Sequence, residues 1–499
     1  MTRLSIRITE DDNVAVALRD IDAGTRVDGV TARARIEAGH KIALSNVAAG
    51  EPVIKFGYPI GVASSAIAAG EHVHSHNLKS TLKDDLQTEV RPQAAGARSP
   101  RESGPTFDGF RRSDGKAGIR NEIWIVNTVG CVNNAAERIA ALAGAELVHE
   151  GSGIDGVHAF KHQFGCSQLG RDLESTQKIL AGLVRHPNAA AVLILGLGCE
   201  NNQLRSLLER VGPVAPERVQ YFNAQDVSDE VEAGLERVRA LAEYARSFRR
   251  EPLPVRELIL GMKCGGSDGL SGITANPLVG RIANRIADHG GSVLLTEVPE
   301  MFGAEQVLLE RACSAQVAAD TVELVNGFRA YFRRYGEAID ENPAPGNIAG
   351  GITTLAEKSL GCVQKAGQAP IARVLGYGEA APSQLGGVAL INAPGNDAVS
   401  STALVAAGAH VVLLTTGRGT PMGFPAPTVK ISTNSALAEK KPTWIDFDAG
   451  PIARGDSDFE PLAEALFALV LDVASGRRLT RSERNGFREI SIWKDGVTL

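Results

Sequence analysis

Residues 263–277 read KCGGSDGLSGITANP, a stretch too rich in glycine to form the interior of a helix or a strand. Residues 257–262 (ELILGM) before it are typical of a short buried strand, and residues 278–289 after it carry apolar side chains at helical spacing. Strand, loop and helix in this order place the loop at the carboxyl end of a parallel strand, where open α/β sheets bind ligands. The stretch therefore predicts an α/β fold with a ligand site in this loop.

The polar groups of the loop suit a small anionic ligand or a metal ion. Besides bare backbone amides, the loop offers the side chains of Cys264, Ser267, Asp268, Ser271, Thr274 and Asn276. A turn that only reverses the chain is the alternative, but a simple reversal needs far fewer glycines.

Length and composition indicate an ordinary multidomain protein. The chain has 499 residues, of which 43% are hydrophobic and 22% charged, and this length exceeds what one core supports. The net charge of -6, without a basic stripe, argues against a nucleic-acid partner. The sequence has no apolar run of about eighteen residues and no signal-peptide pattern, so we expect a cytoplasmic protein without a membrane span.

The six cysteines are too sparse for a disulfide framework. Four of them fall in glycine-rich turns: Cys131, Cys166, Cys199 and Cys264. The simplest interpretation is that each is a small buried apolar residue. The alternative is that one or two of these thiols line an iron site, whereas a four-cysteine iron–sulfur cluster would lack the usual short spacing.

Residues 1–80 predict a small all-β module. Apolar residues alternate in short runs, and Ala-Gly followed by a polar residue recurs as a turn signal. The run GEHVHSHN places His72, His74 and His76 on one face of a strand, because side chains two residues apart point the same way. Three imidazoles on one face suit metal binding or proton transfer, and a solvated edge strand is the alternative.

The remaining chain predicts a linker and two α/β domains. Residues 81–106 are polar and aperiodic, as in a linker. Strands and helices alternate over residues 107–250 and again over 251–499, with a second linker-like segment, RREPLPV, between the two regions. In the middle domain, Arg120 is a candidate carboxylate clamp if its guanidinium is buried.

Polar side chains follow the strands predicted in the last region. Glu297 follows GSVLLTEV, Asp397 follows GVALINA, and Arg418 follows HVVLLTT. Carboxylates, amides and one arginine at one sheet edge are typical of a cleft for a polyhydroxy acid with a divalent cation.

Long motifs in a fixed order make the chain resemble the altronate/galactarate dehydratase family over essentially its whole length. They include GEHVHSHNL, GIRNEIWI, TVGCVN, GCSQLG, RHPNAAAVLILGLGCENNQ, CGGSDGLSGITANP, TEVPEMFGAEQ, GGITTLAEKSLGC, APGNDAVSS, TTGRGTPMGF and WIDFDAG. The resemblance implies an N-terminal SAF (β-clip) domain on a long linker, a dimerising middle domain and a Rossmann-like C-terminal domain.

The resemblance also implies a reaction. A hydro-lyase of this kind converts D-altronate to 2-dehydro-3-deoxy-D-gluconate and water during hexuronate and galacturonate breakdown, and it requires Fe²⁺ or Mn²⁺. The protein is then expected to be a cytoplasmic homodimer. Galactarate or another aldonate or aldarate is the alternative substrate, and a non-catalytic sugar-acid-binding protein is a further alternative. A nicotinamide oxidoreductase is disfavoured because no GxGxxG opens a helix ahead of a suitably spaced acidic residue.

This reaction assigns roles to the residues singled out above. A base removes the C2 proton, an acid protonates the leaving C3 hydroxyl, and a metal ion stabilises the charge that develops on the carboxylate. We expect His72, His74 and Arg120 to be catalytic. Expected substrate contacts are Ser267, Thr274, Asn276 and Arg418, and expected metal ligands are Asp268 and Glu297, with Cys264 and Asp397 as further candidates.

Overall fold

The computed structural model describes residues 3–82 and 104–496. No helix within these ranges is long and apolar enough to cross a membrane. The linker predicted over residues 81–106 falls mostly on residues 83–103, outside the described residues. The first strand after these residues begins at Thr106.

Residues 5–79 form an all-β module, which confirms the prediction for the N-terminal region. Its strands are β1 (Ser5–Ile6), β2 (Val14–Ala17), β3 (Arg26–Val27), β4 (Val30–Thr31), β5 (Lys41–Ala43), β6 (Pro52–Lys55), β7 (Tyr58–Ala63), β8 (His72–Val73) and β9 (Leu78–Lys79). They pair as two antiparallel sheets, β1-β2-β5-β8 and β6-β7-β9, and as the β3-β4 hairpin.

The middle region contains a four-stranded parallel sheet in the order β13-β12-β14-β15. The elements of this region are β10 (Thr106–Arg111), β11 (Ala117–Gly118), β12 (Glu122–Asn127), α1 (Asn133–Leu147), β13 (Gly156–Phe160), α2 (Gly170–Arg185), β14 (Ala189–Gly196), α3 (Leu204–Val211), β15 (Val219–Asn223), α4 (Glu230–Ala245) and β16 (Arg250–Pro254). The predicted α/β alternation is confirmed, although β13, α3 and β15 were not anticipated as separate elements.

The segment RREPLPV was predicted to be linker-like, and this prediction was wrong. Its residues Arg250–Pro254 form β16, which pairs antiparallel with β10 at the edge of the sheet β11-β10-β16. Proline lacks the backbone N–H that a central strand needs, but an edge strand has one side without a partner and so tolerates Pro252 and Pro254.

The C-terminal region is built on a seven-stranded parallel sheet in the order β19-β20-β18-β17-β21-β22-β23. Its strands are β17 (Ile259–Cys264), β18 (Ser292–Leu295), β19 (Ile371–Leu375), β20 (Gly387–Ile391), β21 (Val411–Thr416), β22 (Thr428–Ser432) and β23 (Phe447–Asp448). Its helices are α5 (Ala275–Asp288), α6 (Glu305–Leu309), α7 (Ala315–Arg334), α8 (Pro345–Ile348), α9 (Leu355–Cys362), α10 (Asp397–Ala406), α11 (Ser435–Lys440), α12 (Gly450–Arg454), α13 (Phe459–Ala474) and α14 (Arg481–Arg484).

Strand β17 lies at the centre of this sheet, and every one of its residues is buried. Burial on both faces explains why ELILGM reads as a continuous apolar run. Strands β18 to β20 lie on one side of β17, and strands β21 to β23 lie on the other. The order in which successive strands are added to the sheet therefore reverses next to β17. Such switch points are where α/β folds open a ligand crevice.

The β module packs against the C-terminal region through a buried ionic group. Lys41 Nζ lies 2.9 Å and Lys55 Nζ 2.7 Å from the carboxylate of Glu357 in α9, and all three side chains are buried. Lys41 Nζ also donates to the Gly351 carbonyl at 2.8 Å. Burial lowers the pKa of Lys41 to about 8 despite the nearby carboxylate. Because one buried carboxylate forms salt bridges with two ammonium groups, this contact fixes the position of the module relative to α9.

Glycine at position 269 allows the β module to approach the loop after β17. A Cβ atom placed there would lie 1.9 Å from the carbonyl oxygen of Gly39. We expect Gly269→Ala to lower the free energy of unfolding by about 1–3 kcal/mol, because backbone rather than a flexible side chain must yield. Denaturant unfolding measures the loss. Gly144→Ala in α1, where nothing lies within 4 Å of the new Cβ, is the matched control. Equal stability of the two variants would contradict this contact.

Two buried histidines join the middle and C-terminal regions. His186 Nε2 lies 3.1 Å from the Ala409 carbonyl, and His410 Nε2 lies 2.8 Å from the Ala117 carbonyl. Burial lowers the pKa of His186 to about 3 and that of His410 to about 4. Both imidazoles are therefore neutral in the folded protein at neutral pH.

These pKa values predict a loss of stability in acid. Between pH 6.5, the ordinary pKa of histidine, and about pH 3–4, the unfolded chain binds protons that the folded chain does not. The free energy of unfolding should therefore fall as the pH is lowered through this window. Thermal unfolding at a series of pH values measures the slope. His410→Gln keeps a donor for Ala117 but cannot titrate, so its slope should be smaller; an unchanged slope would contradict the assignment.

Candidate metal centre and substrate cleft

Four potential metal ligands meet beside the carboxyl end of β17. They are Cys264, Glu297, Glu300 and Cys362, all buried, and one ligand atom from each lies within 4.8 Å of those from the others. Cys264 ends β17, Glu297 and Glu300 follow β18, and Cys362 ends α9. We call these four residues the Cys/Glu cluster. Among the described residues it is the only group of this kind.

Three lysines surround the Cys/Glu cluster. Lys365 Nζ lies 2.8 Å from Cys264 Sγ, 2.9 Å from Cys362 Sγ and 2.9 Å from the Glu297 carboxylate. Lys263 contacts Glu297, and Lys358 Nζ lies 2.9 Å from Glu300. The ammonium groups thus compensate the buried acidic groups.

Neighbouring groups shift the pKa values of the residues in and around the Cys/Glu cluster. Burial alone would raise the pKa of Glu300, but Lys358, Lys263 and Lys365 bring it down to about 2. Burial would lower the pKa of Lys365, but Cys264, Cys362 and the two glutamates hold it well above its usual value. The hydrogen bond between the Cys362 and Cys264 sulfurs, together with burial, raises the pKa of the Cys362 thiol well above the ordinary value. Lys365 is therefore charged and Cys362 neutral at neutral pH.

The donor set of the cluster fits a divalent metal ion. Two cysteine sulfurs and two carboxylates are ligands that zinc or ferrous iron accepts, and the four ligand atoms are close enough to share one ion. The Lys365 ammonium contacts three of these four residues, so an ion and the protonated lysine compete for the same donors.

Glu297 is held in a strained backbone conformation. Its φ is +70° and its ψ is +53°, in the left-handed region that non-glycine residues rarely adopt. Such a conformation costs about 1–3 kcal/mol and persists only where the surroundings impose it. Here it directs the carboxylate toward Lys263 and Lys365, which both contact it.

An open cleft of about 590 Å³ lies next to the cluster. Among its lining residues are Cys264, Ser267, Glu300, Lys358, Asp397 and Arg418. The prediction that separate strand-end loops converge on one cavity is therefore supported by the geometry. A Cβ at Gly265 would lie 2.6 Å from the Asp397 carboxylate, so a side chain there would have to displace Asp397.

Arg418 supplies the accessible positive charge of the cleft. The residue is exposed, and its backbone N–H donates to the Gly266 carbonyl at 2.9 Å. Within residues 3–82 and 104–496, its guanidinium forms none of the observed side-chain hydrogen bonds or salt bridges. Arg418 also lines a crevice of about 820 Å³ between the β module and the C-terminal region. A guanidinium in this position can bind a carboxylate in a bidentate manner.

Other residues predicted for the site have partners within the protein. Asp268 is not in the Cys/Glu cluster; its carboxylate accepts hydrogen bonds from Ser271, Thr433 and Asn434. Thr274 Oγ1 lies 2.9 Å from the carbonyl oxygens of both Leu270 and Thr433, which share its one hydroxyl proton. Asn276 donates to the Gly361 carbonyl and accepts from Thr415. These three side chains hold the loop in shape, while Ser267 and Asp397 reach the cleft.

Asp397 is partly exposed to the cleft and also forms a salt bridge with Lys263. Its carboxylate lies 2.9 Å from Lys263 Nζ, and its side chain is 35% exposed. Lys263 thus connects Asp397 to Glu297 of the cluster.

The predicted histidines His72, His74 and His76 cluster with His40 next to the wall of the cleft. The ring centroids of His40, His72 and His74 are 5.0–5.3 Å apart, and the His76 ring lies 5.6 Å from that of His72. His74 Nε2 lies 3.1 Å from the Ile348 carbonyl, in the segment that also carries the cleft residue Asn347. Burial, followed by the neighbouring imidazoles, lowers the pKa of His72 to about 4. The histidines thus contact the segment behind the cleft.

Arg120 lies elsewhere in the protein. Its guanidinium is buried, which was the condition for a carboxylate clamp, but it pairs with Glu483 at 2.7 Å and donates to the carbonyls of Ile119 and Val473. These contacts join the middle region to the C-terminal helices, and Arg120 is not among the cleft residues.

The sequence interpretation missed the contribution of α9 and its continuation. Lys358 and Cys362 are four residues apart and therefore lie on one face of the helix, and Lys365 follows three residues later. Glu357 directly precedes Lys358 in the same helix, and its carboxylate faces the β module. The segment LAEKSLGCVQK carries a lysine, a cysteine and a second lysine at helical spacing. This pattern was the available indication that the segment contributes to the site.

Comparison with known proteins agrees with this three-part organisation. The family described as "Altronate/galactarate dehydratase SAF domain" matches residues 3–81. "D-galactarate dehydratase/Altronate hydrolase, second domain" matches residues 109–246, and "D-galactarate/Altronate dehydratase, C-terminal" matches residues 255–498. The chain is 48% identical to the altronate dehydratase of Bacillus subtilis (strain 168) over 501 residues, which covers 99% of each chain.

The chain belongs to the altronate/galactarate dehydratase family. It is also 48% identical to the altronate dehydratase of Escherichia coli (strain K12), over 99% of each chain. Identity to the galactarate dehydratase (L-threo-forming) of the same organism is 32%, over 97% of this chain and 95% of the relative. The β module is therefore the SAF domain of the family.

Proposed function

We propose that this protein is a hydro-lyase that converts D-altronate to 2-dehydro-3-deoxy-D-gluconate and water, within hexuronate catabolism. The observation that carries the proposal is the cleft in which the free guanidinium of Arg418 shares a cavity with Cys264 and Glu300 of the Cys/Glu cluster. Such a cavity offers a carboxylate anchor and a metal-type donor set side by side. The two altronate dehydratases at 48% identity support the choice of reaction.

The metal that we propose is Fe²⁺, with Mn²⁺ as the alternative, held by the Cys/Glu cluster. A bound divalent ion supplies Lewis-acid stabilisation of the negative charge that develops when a proton leaves the carbon beside a carboxylate. Cysteine ligands favour iron over the harder ions, which prefer all-oxygen sites. Cys264, Glu297, Glu300 and Cys362 are the residues that would hold it.

The residues of the cleft can position the substrate and move protons. Arg418 binds the carboxylate of the sugar acid, and Ser267 lies in the lining where it can contact hydroxyl groups. Asp397 accepts the C2 proton, because its carboxylate is partly exposed in the cleft and is held by Lys263. Lys358 donates a proton to the departing C3 hydroxyl. Burial lowers the pKa of Lys358, but Glu300 and the neighbouring thiols raise it more, so the ammonium is charged.

The charges of the cleft favour an aldonate over an aldarate. An aldarate such as galactarate carries a second carboxylate at the far end of the chain. The carboxylates of Glu300, Glu341 and Asp397 all line the cleft. Lys358, which also lines it, is already paired with Glu300. A second carboxylate would therefore meet mainly negative charge, whereas the terminal hydroxymethyl group of altronate would not.

The reaction can be tested with the purified full-length protein. The protein is incubated anaerobically with ferrous iron, a reductant and D-altronate, and the 2-keto-3-deoxy acid is quantified. We expect product from D-altronate and much less from galactarate. Binding of altronate without product would favour a sugar-acid-binding protein, and faster turnover of galactarate would favour the alternative substrate.

The histidines of the SAF domain provide a second test. The geometry favours Asp397 as the base, so a His72→Ala, His74→Ala double variant should retain most of its turnover. Asp397→Asn should lose about 10²–10⁴-fold in kcat, the usual contribution of general base catalysis. Steady-state kinetics of the two variants decide between the candidates. A large loss in the double variant with little loss in Asp397→Asn would restore the histidines as catalytic residues.

We further propose that the enzyme is a cytoplasmic homodimer that associates through its middle domain. Strand β15 is an edge strand of the middle sheet, and it carries Tyr221 with 51% of its surface exposed. An exposed aromatic residue on an open sheet edge supports an association surface there. Light scattering coupled to size-exclusion chromatography measures the mass of the assembly.

A further inference from the structure

The two cysteines of the Cys/Glu cluster lie in direct contact. Cys264 Sγ and Cys362 Sγ are 3.5 Å apart, and both residues are buried and free. The sulfurs of a disulfide bond are about 2.05 Å apart, so these two would have to approach by about 1.5 Å. Cys264 ends β17 and Cys362 ends α9, where rotation of the two side chains with a small backbone adjustment can close this gap.

The surroundings of the two sulfurs suit oxidation. Lys365 Nζ lies 2.8 Å from Cys264 Sγ and 2.9 Å from Cys362 Sγ. A lysine ammonium beside a sulfur is a feature of reactive cysteines. Of the two cysteines, only Cys264 lines the open cleft of about 590 Å³. A small oxidant that enters the cleft therefore reaches Cys264 first.

The other four cysteines have different surroundings. Cys131, Cys166 and Cys199 are exposed, and Cys313 Sγ contacts the Ala372 carbonyl. The three exposed thiols meet any oxidant in solution directly, so their oxidation shows how much oxidant the protein has encountered. They therefore serve as internal references for the reaction of the buried pair.

We propose that Cys264 and Cys362 form an oxidative modification site: in the metal-free protein, hydrogen peroxide or an organic hydroperoxide converts them to a disulfide that prevents metal binding. The loss of metal binding rests on the proposed function, which places the ion at the Cys/Glu cluster. The disulfide itself depends only on the contact between the two sulfurs.

One peroxide molecule is consumed for each disulfide. The Cys264 sulfur attacks a peroxide oxygen, so an S–O bond forms, the O–O bond breaks, and water or an alcohol leaves with the thiol proton. The Cys362 sulfur then attacks the Cys264 sulfur. The S–S bond forms, the S–O bond breaks, and the hydroxyl group leaves as water with the second thiol proton. Two electrons thus pass from the two thiols to the peroxide.

The disulfide removes half of the donor set of the cluster. A sulfur in a disulfide is no longer a thiolate ligand, so only Glu297 and Glu300 remain. These carboxylates already pair with Lys365 and Lys358, respectively. Conversely, a bound ion occupies both sulfurs and shields them from peroxide. Oxidation should therefore affect the metal-free protein and spare the metal-loaded protein.

The test uses the full-length protein, stripped of metal with a chelator and desalted anaerobically. Hydrogen peroxide is added, free thiols are alkylated, and the protein is digested without reductant for mass spectrometry. We expect a linked pair of peptides containing Cys264 and Cys362, which is two hydrogens lighter than the separate thiol peptides and is released by dithiothreitol. Loading beforehand with Zn²⁺, which is not redox-active and suits this donor set, should leave the two cysteines unlinked.

Isothermal titration with Zn²⁺ supplies a second measurement. The reduced protein should bind zinc, and the peroxide-treated protein should lose this binding and regain it after dithiothreitol treatment and desalting. Cys313→Ser is the matched control and should behave like the unsubstituted protein. In Cys362→Ser, the oxidised Cys264 has no partner sulfur, so its sulfenic acid should be trapped by dimedone.

Three results would overturn the proposal. The first is oxidation of Cys131, Cys166 and Cys199 while Cys264 and Cys362 remain reduced. The second is a disulfide that links either buried cysteine to a different partner, and the third is zinc binding that the disulfide does not change. Neither measurement uses turnover of altronate. A protein that forms the disulfide and loses zinc, yet makes no 2-keto-3-deoxy acid, would contradict the proposed reaction and support the modification site.

Discussion

Replacing Lys365 with methionine is expected to lower the unfolding free energy of the metal-free protein by about 3–5 kcal/mol, the usual consequence of removing one partner of a buried ion pair. The Lys365 side chain is 0% exposed, and its ammonium contacts Glu297, Cys264 and Cys362. Without it, the buried Glu297 carboxylate keeps only Lys263 as a cationic partner among the described residues.

Denaturant unfolding in the presence of a chelator measures this loss. Lys178→Met is the matched control, because Lys178 is 40% exposed and pairs with Glu174 on the surface of α2. Surface pairs of this kind contribute at most about 1 kcal/mol, so the control should unfold like the unsubstituted protein.

The same variant also tests the metal site. An added divalent ion should restore much of the stability of Lys365→Met, because the ion supplies the positive charge that the ammonium supplied. The variant should bind the ion more tightly than the unsubstituted protein, where the protonated lysine competes for Cys264, Glu297 and Cys362. Isothermal titration measures this affinity without reference to turnover. Weaker metal binding by the variant would contradict a shared position for ion and ammonium.

Replacing Arg418 with glutamine should reduce kcat/KM for the sugar acid by about 10²–10³-fold, comparable to the loss of one charge-stabilising donor in other active sites. Arg418 is exposed in the cleft and lines it together with Asp397 and Lys358. In the reaction that we propose, its guanidinium binds the carboxylate in the ground state and meets additional charge there as the C2 proton leaves. Both KM and kcat should therefore change.

Steady-state kinetics of three variants separate this role from a general loss of positive charge. Arg454→Gln removes an arginine of the neighbouring crevice that pairs with Asp456, and it should leave kcat/KM nearly unchanged. Arg418→Lys keeps the charge but loses the bidentate geometry, so it should be intermediate. Equal kinetics of Arg418→Gln and Arg454→Gln would remove Arg418 from substrate binding.

Much of the site could be predicted where function depends on local sequence. The glycine-rich loop lies at the end of β17 as expected, and Cys264, Ser267, Asp397 and Arg418 line one cleft. These positions follow strands of one parallel sheet, and the carboxyl ends of such strands necessarily meet at one edge.

The predictions were less complete where partners come from distant parts of the chain. Glu300 and Cys362 belong to the Cys/Glu cluster but were not proposed as ligands. Asp268 was proposed as a ligand, yet its carboxylate accepts hydrogen bonds from Thr433 and Asn434. Nothing in the sequence near Asp268 reveals these partners, because they lie more than 160 residues away.

The sequence by itself determined the order of the β module and the two α/β regions, and it placed ligand-binding loops after the strands. Those features depend on periodicity and on glycine, which act over a few residues. Only the tertiary structure decided that α9 brings Lys358, Cys362 and Lys365 to the end of β17. It also decided that Arg120 pairs with Glu483. Charge pairing depends on distance in space, and the packing of remote elements sets that distance.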